Sequence, residues 1–327
     1  MRESSCFAGL GLALNEPGFH LRIHAAKENS VVGPATQLQA EYTSRVESVL
    51  QRNAHWARPA SIEIVSALPL HAGLGAGTQL GAAVAAGLHL FQAIADSSAP
   101  NPPSDQWHQV VGIDSASECL SPLNIHKLVE LSGRGLRSAI GLYGFLHGGL
   151  ILDEGNSEPG NKSRSFSSQL GAIPDKWRIV LIRTNVSRRV FGDEECQRLK
   201  ALGVLPNPHQ SEMMRLARLL ITENQSFEDF THRLESYMDL GALLFSGVQG
   251  GKYNGEVAIR AVQCARELGL QGVGQSSWGP TLFGFAPSEN AAEHFLSDFR
   301  RDPKCRSWTA TTVSPSKKGA QWRWQGS

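Results

Sequence analysis

The stretch that decides the fold is Pro69-Leu70-His71-Ala72-Gly73-Leu74-Gly75-Ala76-Gly77-Thr78-Gln79, which lies between a predicted strand and a predicted helix. Its three alternate glycines allow the backbone to turn sharply and to expose amide groups. The helix that follows adds unpaired N–H groups and a positive end of about half a charge. The stretch therefore predicts a phosphate cradle that needs no lysine. The alternative is a tight turn capped by the Thr78 hydroxyl.

The flanking pattern predicts the type of fold. Residues 61–66 alternate as a strand does, and Leu80, Val84, Leu88 and Phe91 mark one apolar face of a helix. Further elements are predicted from the same two periodicities: strands over 149–152, 177–183 and 281–285, and helices over 125–131, 194–202, 212–221, 227–243, 258–268 and around His294 and Phe295. Because strands and helices mix in both halves, the sequence predicts an α+β fold with antiparallel sheets.

A polar stretch rich in Gly, Ser and Asn, at residues 155–169, indicates a join between two domains. The predicted domains are residues 1–160, which contain the phosphate cradle, and residues 170–327.

Composition excludes several classes of protein. Of the 327 residues, 31 are Lys or Arg and 30 are Asp or Glu, so the net charge of +1 predicts neither a nucleic-acid partner nor a membrane surface. Any anionic ligand must be held by a local site. The cysteines are odd in number and form no C-x-x-C pair, which argues against a disulfide framework or a thiolate zinc site and favours a cytoplasmic location. They are Cys6, Cys119, Cys196, Cys264 and Cys305.

A second candidate segment is Ser132-Gly133-Arg134-Gly135-Leu136-Arg137-Ser138-Ala139-Ile140-Gly141. Guanidinium groups bind phosphate or carboxylate oxygens through paired hydrogen bonds, so Arg134 and Arg137 are candidate substrate ligands. Gly135 and Ser138 would line the same ligand. The alternative is that either arginine caps the carbonyl groups at the end of the preceding helix.

A third segment, Gly272 to Pro280, places small polar residues beside a large aromatic ring. Gln275, Ser276 and Ser277 are candidate ligand contacts, and Trp278 is a candidate for stacking on an aromatic substrate. The alternative is a hairpin-type loop around a core tryptophan.

Two weaker candidates complete the set. Asp193 and Glu194 are candidate magnesium ligands, although acidic residues also favour the start of a helix. Lys252, in Gln249-Gly250-Gly251-Lys252-Tyr253, is a candidate phosphate partner or a solvated lysine.

At these motifs the sequence resembles a known family. Pro-x3-Gly-Leu-Gly-x-Gly-Thr-Gln resembles the phosphate loop of the GHMP superfamily of small-molecule kinases. The chain as a whole is similar to one branch, the beta-ribofuranosylaminobenzene 5'-phosphate synthases, whose motifs occur in the same order. The matching segments are His71 to Leu80, Gly133 to Gly141 with Gly148-Gly149, Gly192 to Glu195, Gln249 to Tyr253 and Gly274 to Pro280.

The chain departs from that family at two places. Ala76 stands where members usually have a serine that helps to hold magnesium. Relatives have an additional strand before the segment equivalent to Phe7-Ala8-Gly9-Leu10-Gly11, which leads us to expect either a misassigned start or a missing edge strand.

The resemblance implies a two-domain GHMP-kinase-like fold, with a ribosomal S5 domain 2-like N-terminal domain and a ferredoxin-like C-terminal domain. It implies that phosphoribosyl diphosphate condenses with 4-hydroxybenzoate or 4-aminobenzoate, releasing pyrophosphate and carbon dioxide, on the pathway to methanopterin. It also implies Mg2+ as cofactor, with Thr78, Asp193 and Glu194 as ligands. Arg134, Arg137 and Trp278 would be the catalytic residues, and the protein would form a homodimer.

Two other functions remain open from the sequence. A GHMP-type kinase would use the same cradle to phosphorylate a small alcohol with ATP, usually with a catalytic Asp or Lys, but residues 133–141 contain no Asp. A non-catalytic ligand sensor of the same fold would be compatible with Ala76.

Overall fold

The chain folds into two compact units that interleave along the sequence. The computed structural model describes residues 9–34, 38–96, 106–110, 123–135, 138–154, 168–184, 194, 197–198, 201, 207–222 and 225–325. Unit 1 comprises Met1–Glu16, Pro69–Leu74 and Leu150–Pro315, and unit 2 comprises Pro17–Leu68, Gly75–Gly149 and Ser316–Ser327. The predicted domains, 1–160 and 170–327, stay a prediction, because almost all of the expected join lies outside the described residues.

The elements of the described ranges alternate between strands and helices. The strands are β1 Gly9–Leu12, β2 His20–Ala25, β3 Ser30–Val32, β4 Ala60–Ser66, β5 His108–Gln109, β6 Leu150–Asp153, β7 Ser168–Gly171, β8 Arg178–Arg183, β9 Gln271–Gln275, β10 Thr281–Ala286, β11 Thr309–Val313 and β12 Gln321–Trp322. The α-helices are α1 Gln39–Asn53, α2 Ala76–Asp96, α3 Ile125–Ser132, α4 Ile140–His147, α5 Asn207–Leu220, α6 Phe227–Gln249, α7 Glu256–Glu267 and α8 Glu289–Arg301.

Most of the predicted elements are confirmed. The four predicted strands are β4, β6, β8 and β10, and six predicted helices are α2, α3, α5, α6, α7 and α8. The helix predicted over 194–202 lies mostly outside the described residues. Helix α1 has no counterpart in the prediction, and it carries a residue of the candidate site.

Among the strands that the structure describes, every pair but one is antiparallel. Unit 1 contains a sheet of order β1-β6-β7 and a sheet of order β11-β8-β10-β9, in which every pair is antiparallel. In unit 2, β4 pairs antiparallel with β2 but parallel with β3, so the prediction of antiparallel sheets does not hold at β3. The connection from β3 to β4 runs through α1, and a helical crossover is what allows two strands to pair in parallel.

Helix α2 forms the centre of unit 2. Leu80, Val84 and Leu88 lie on its apolar face and are buried, and the helix contacts α1, α3 and α4. Its many alanines favour the helical state and allow neighbouring helices to approach. By length and apolar composition alone α2 could cross a membrane. Its packing inside unit 2 identifies it instead as a core helix, and the cytoplasmic location stays a prediction.

A buried asparagine joins α1 to the end of α3. Asn53 is 1% exposed, and its Nδ2 donates to the carbonyl oxygens of Val49 at 2.7 Å and Leu131 at 2.9 Å. Its Oδ1 accepts from Trp56 Nε1 at 3.1 Å. Because buried polar groups must be paired, this side chain fixes α1 against the segment that leads into Arg134.

We expect Asn53→Ala to lower the free energy of unfolding by about 2–3 kcal/mol, because it leaves a buried carbonyl and an indole N–H without their partner. Urea unfolding measures the change. Gln51→Ala on the exposed side of the same helix is the control and should change it by less than about 0.5 kcal/mol. Equal effects of the two substitutions would contradict the role given to Asn53.

Candidate functional site

The glycine-rich loop ends at the first turn of α2. Gly73 and Gly75 have φ angles of 76° and 71°, in the left-handed region that favours glycine. The carbonyl oxygen of Gly75 accepts from the amides of Thr78 and Gln79, both at 3.0 Å. These bonds begin the helical ladder and do not use the amides of Ala76 and Gly77.

The start of α2 has the electrostatic character of an anion site. Its first turn contains no acidic residue, and Gly75 is exposed. The dipole of the helix places a partial positive charge of about half a unit at this end. The structure therefore places predicted cradle residues 75–78 where an anion would be stabilised.

Arg134 lies against the second turn of α2. It follows Gly133, which ends α3 in the left-handed conformation, and its own amide donates to Ser132 Oγ at 3.2 Å. The Cγ and Nε of Arg134 lie 3.2 and 3.4 Å from the position that a Cβ of Gly81 would occupy. The absence of a side chain at residue 81 thus allows Arg134 to reach the helix that carries the cradle.

A second arginine, which sequence reasoning missed, lies one turn closer to the helix start. Arg45 projects from α1, and its Nη1 lies 2.7 Å from the position that a Cβ of Gly77 would occupy. Glu41 Oε1 accepts from its Nε at 3.2 Å and its Nη2 at 2.6 Å. Gly77 and Gly81 are one helical turn apart, so both guanidinium groups approach the same face of α2. In the sequence, the Gly-x-x-x-Gly spacing of Gly77 and Gly81 is the signal that could have indicated close packing on this face of α2.

Gln79 and Ser138 have roles in local structure. Gln79 Nε2 donates to the carbonyl oxygen of Gly141 at 2.7 Å, which ties α2 to α4. Ser138 is exposed, and its Oγ accepts from the amide of Ile140 at 3.3 Å. Gly135 has a φ of 85° beside Leu142. Contacts of these residues with a ligand stay predictions, and Arg137 lies outside the described residues.

In unit 1 the first half of the glycine loop packs against the segment after β9. Ser276 Oγ donates to the carbonyl oxygen of Gly73 at 2.8 Å, although the two residues are 203 positions apart. A Cβ on Gly73 would lie 2.4 Å from the carbonyl oxygen of Ser276 and 3.0 Å from that of Gly279. Two motifs that the sequence identified separately are therefore in contact.

Hydrogen bonds fix the conformation of the segment that follows β9. Gln275 Oε1 accepts from the amide of Asn254 at 2.7 Å, and its Nε2 donates to the carbonyl oxygen of Ser277 at 3.0 Å. Ser277 has a φ of 54°, a left-handed conformation that is uncommon for residues other than glycine. In the structure Gln275 supports the turn, and a contact of Gln275 or Ser277 with substrate stays a prediction.

Trp278 is a buried packing residue. Its side chain is 5% exposed, and its ring meets that of Phe245 edge to face at a centroid distance of 5.0 Å. The guanidinium carbon of Arg198 lies 5.8 Å from the Trp278 ring centroid. This is the arrangement expected of a core tryptophan, and stacking of Trp278 on a substrate ring stays a prediction.

Lys252 forms an ion pair with Asp239, and its Nζ lies 5.4 Å from the ring centroid of Tyr253. The positive charge of Lys252 is therefore offset within unit 1. Its predicted contact with phosphate is not tested by this geometry.

Magnesium, the cofactor that the resemblance implies, has no carboxylate site among the described residues of α2. Thr78 offers a single hydroxyl, and Asp193 lies outside the described residues. The Glu194 carboxylate is engaged by Arg198 Nη2 at 2.9 Å. Within the described ranges, no group of three His, Cys, Asp or Glu side chains converges there. The predicted magnesium ligands Thr78, Asp193 and Glu194 therefore stay a prediction.

Comparison with known proteins shows the fold. A family described as GHMP kinases C terminal matches residues 226–304. Homoserine kinase from Cytophaga hutchinsonii aligns with a TM-score of 0.59 at 13% identity, over 97% of this chain and 95% of that one. Mevalonate kinase from L. major aligns with a TM-score of 0.59 at 13% identity, over 96% and 91% of the two chains. The predicted α+β, GHMP-kinase-like fold is confirmed.

Three proteins named beta-ribofuranosylphenol 5'-phosphate synthase match most of the chain. The one from Archaeoglobus fulgidus is 26% identical over 315 residues, which cover 91% of this chain and 87% of that protein. The one from Methanocaldococcus jannaschii is 22% identical over 312 residues, which cover 87% and 84%. The resemblance inferred from the sequence motifs is confirmed, and the relatives it points to are synthases by name.

Gly73 and Gly75, the two left-handed glycines of the loop, provide a matched pair of variants. Gly75→Ala meets no atom within 4 Å, so we expect only the cost of a left-handed alanine, about 1–2 kcal/mol of unfolding free energy. Gly73→Ala has the same backbone strain but also collides with two carbonyl oxygens, which should cost about 1–3 kcal/mol more. Urea unfolding of both variants measures the difference. Equal losses would show that the contact between Gly73 and the Ser276–Gly279 segment is not formed.

Proposed function

We propose that this chain, which has the GHMP-kinase fold and resembles the named synthases, is a decarboxylating phosphoribosyltransferase. It would condense phosphoribosyl diphosphate with 4-hydroxybenzoate or 4-aminobenzoate and release pyrophosphate and carbon dioxide. The observation that carries the proposal is the start of α2, where two guanidinium groups, from Arg45 and Arg134, approach one face of the helix that begins at the cradle.

The proposed role of this site is to accept the charge that develops on the leaving group. When the bond between C1 of the ribose and the diphosphate oxygen breaks, its electron pair goes to that oxygen. The amides of Ala76 and Gly77, the helix dipole and the two arginines would stabilise the resulting negative charge. Preorganised donors of this kind lower the barrier because they need not reorient during the reaction.

The second half of the reaction needs no strong base. The ring carbon that bears the carboxylate attacks C1 of the ribosyl group and forms a carbon–carbon bond. The bond to the carboxylate then breaks, its electron pair restores the aromatic ring, and carbon dioxide leaves. No proton is transferred in this sequence, so the proposed reaction needs no general base at the cradle. Arg137, from the part of the chain not described, would hold the carboxylate or the 5'-phosphate.

The names of the relatives support one acceptor over the other. A ribofuranosylphenol 5'-phosphate is the product expected from 4-hydroxybenzoate, because its hydroxyl group remains on the ring. For this chain we therefore propose 4-hydroxybenzoate as the preferred acceptor and the methanopterin pathway as the destination of the product. Mg2+ would enter with the diphosphate, held mainly by phosphate oxygens and water, as is common for this ion. A cytoplasmic homodimer belongs to the same proposal.

The reaction itself is the direct test. Incubation with phosphoribosyl diphosphate, magnesium and 4-hydroxybenzoate should release pyrophosphate and carbon dioxide in equal amounts. A parallel incubation with ATP and small alcohols should yield no ADP. ADP formation in the second mixture alone would replace the proposal with a kinase, which the fold also accommodates. Binding of phosphoribosyl diphosphate without turnover would favour a sensor.

The two arginines can be tested apart from turnover. We expect Arg45→Ala and Arg134→Ala each to weaken pyrophosphate binding about 10- to 100-fold, because a hydrogen bond to a charged group contributes about 1.5–3 kcal/mol. Titration calorimetry without acceptor measures the affinity. Arg58→Ala is the matched control, since Arg58 is an exposed arginine of unit 2 paired with Asp96 at 2.7 Å. Pyrophosphate affinities indistinguishable from wild type in both variants would remove these arginines from the site.

A further inference from the structure

Two buried thiols and a carboxylate meet in unit 1, in a cluster that neither the glycine loop nor the arginines involve. Cys264 lies in the last turns of α7, and Cys305 ends the 3-10 turn Pro303–Cys305 that follows α8. Asp302 immediately precedes that turn. The Sγ atoms of the two cysteines and a carboxylate oxygen of Asp302 all lie within 4.8 Å of one another.

The turn holds two of the three groups in a fixed arrangement. Asp302 caps it, with Oδ1 accepting from the amide of Lys304 at 2.8 Å. The carbonyl oxygen of Asp302 accepts from the amide of Cys305 at 3.0 Å. The rigid ring of Pro303 restricts the backbone between them. Carboxylate and thiol therefore project from one short turn towards the third group on α7.

The charges beside the two buried thiols favour a cation. Cys264 and Cys305 are 2% and 1% exposed, whereas Asp302 is only partly buried. The neighbouring charges are the Asp302 carboxylate and the ion pair between Lys304 Nζ and Glu267 Oε2 at 3.1 Å. One lysine thus faces two carboxylates, which leaves an excess of negative charge beside the thiols.

We propose that Cys264, Cys305 and Asp302 bind one Zn2+ ion, with water in the fourth position. Two thiolates and a carboxylate are ligands that zinc takes in tetrahedral geometry, and thiolates select it over magnesium and calcium. The ion would join α7 to the turn after α8 and so brace the edge of the unit 1 core. Burial raises the pKa of both thiols, so without metal they stay protonated near neutral pH and act as ordinary core residues.

The proposal runs against the expectation drawn from cysteine spacing, which argued against a thiolate zinc site. Cys264 and Cys305 are too far apart in sequence to form a recognisable ligand motif, and they become neighbours only through packing. The proposal is independent of the phosphoribosyltransferase, because it rests on different residues and on metal binding alone.

Metal titration of the full chain tests it. The protein, kept reduced with a phosphine, should bind one equivalent of Zn2+, and Co2+ in its place should give a thiolate-to-cobalt charge-transfer band with intense tetrahedral visible absorption. Cys305→Ser and Asp302→Asn should each weaken the affinity at least about tenfold, the smallest loss usual for groups that support a metal site. Asp96→Asn removes a described carboxylate of unit 2, which pairs with Arg58 at 2.7 Å, and should leave the affinity unchanged.

If Cys305→Ser does not fold, Asp302→Asn still tests the zinc site. Asparagine can cap the turn as aspartate does, but it removes the charged ligand. Absence of a stoichiometric ion in the wild-type protein would overturn the proposal. So would equal affinities in Asp302→Asn and Asp96→Asn. A wild-type protein whose mass is two hydrogens lower, with Cys264 and Cys305 joined in one peptide pair, would show a disulfide instead of a metal site.

Discussion

The candidate site depends on one constraint: two arginine side chains approach the backbone of α2 closely, at glycines that have no side chain of their own. Gly77 and Gly81 lie one turn apart on α2, and each leaves the space that a guanidinium group fills. A Cβ at either position would push the arginine away from the helix. The same constraint operates at Gly73, where two carbonyl oxygens occupy the space of a missing side chain. Glycine is thus required at Gly77 and Gly81 for proximity and at Gly75 for its left-handed conformation. At Gly73 it is required for both reasons.

Arg45 and Arg134 supply local positive charge that the nearly neutral composition of the chain does not provide. A chain with a net charge of +1 attracts anions weakly as a whole, so an anionic ligand needs concentrated local charge. The start of α2 supplies a partial charge, and Arg45 and Arg134 add full charges along one face. Glu41 offsets part of the charge of Arg45 but also fixes its side chain through two hydrogen bonds to one carboxylate oxygen. A fixed guanidinium loses little entropy when a ligand binds.

The fold does not decide between phosphoryl transfer and phosphoribosyl transfer. Solved homoserine and mevalonate kinases share it at 13% identity, at which only the architecture is comparable. In both chemistries, negative charge develops on a phosphate oxygen of the leaving group. The helix start at α2 would stabilise that charge in either case. What separates them is the acceptor: a kinase must deprotonate a hydroxyl group, whereas an aromatic carbon that loses carbon dioxide needs no base. The proposal of phosphoribosyl transfer therefore relies on the resemblance to the named synthases, at 22% to 26% identity, and not on the fold.

Local sequence determined the parts of this protein that depend on neighbours along the chain. Residues a few positions apart were enough to predict the alternating pattern of β4, the apolar face of α2 and the left-handed glycines of the loop. The order of the motifs along the chain identified the fold. Tertiary structure decided the rest. Arg45 meets Gly77 through a helix that the sequence did not reveal, Trp278 lies under Phe245, and Cys264 meets Cys305 across two elements. These contacts depend on how helices and strands pack, and packing is set by the shapes of whole elements, which no periodicity within one segment records.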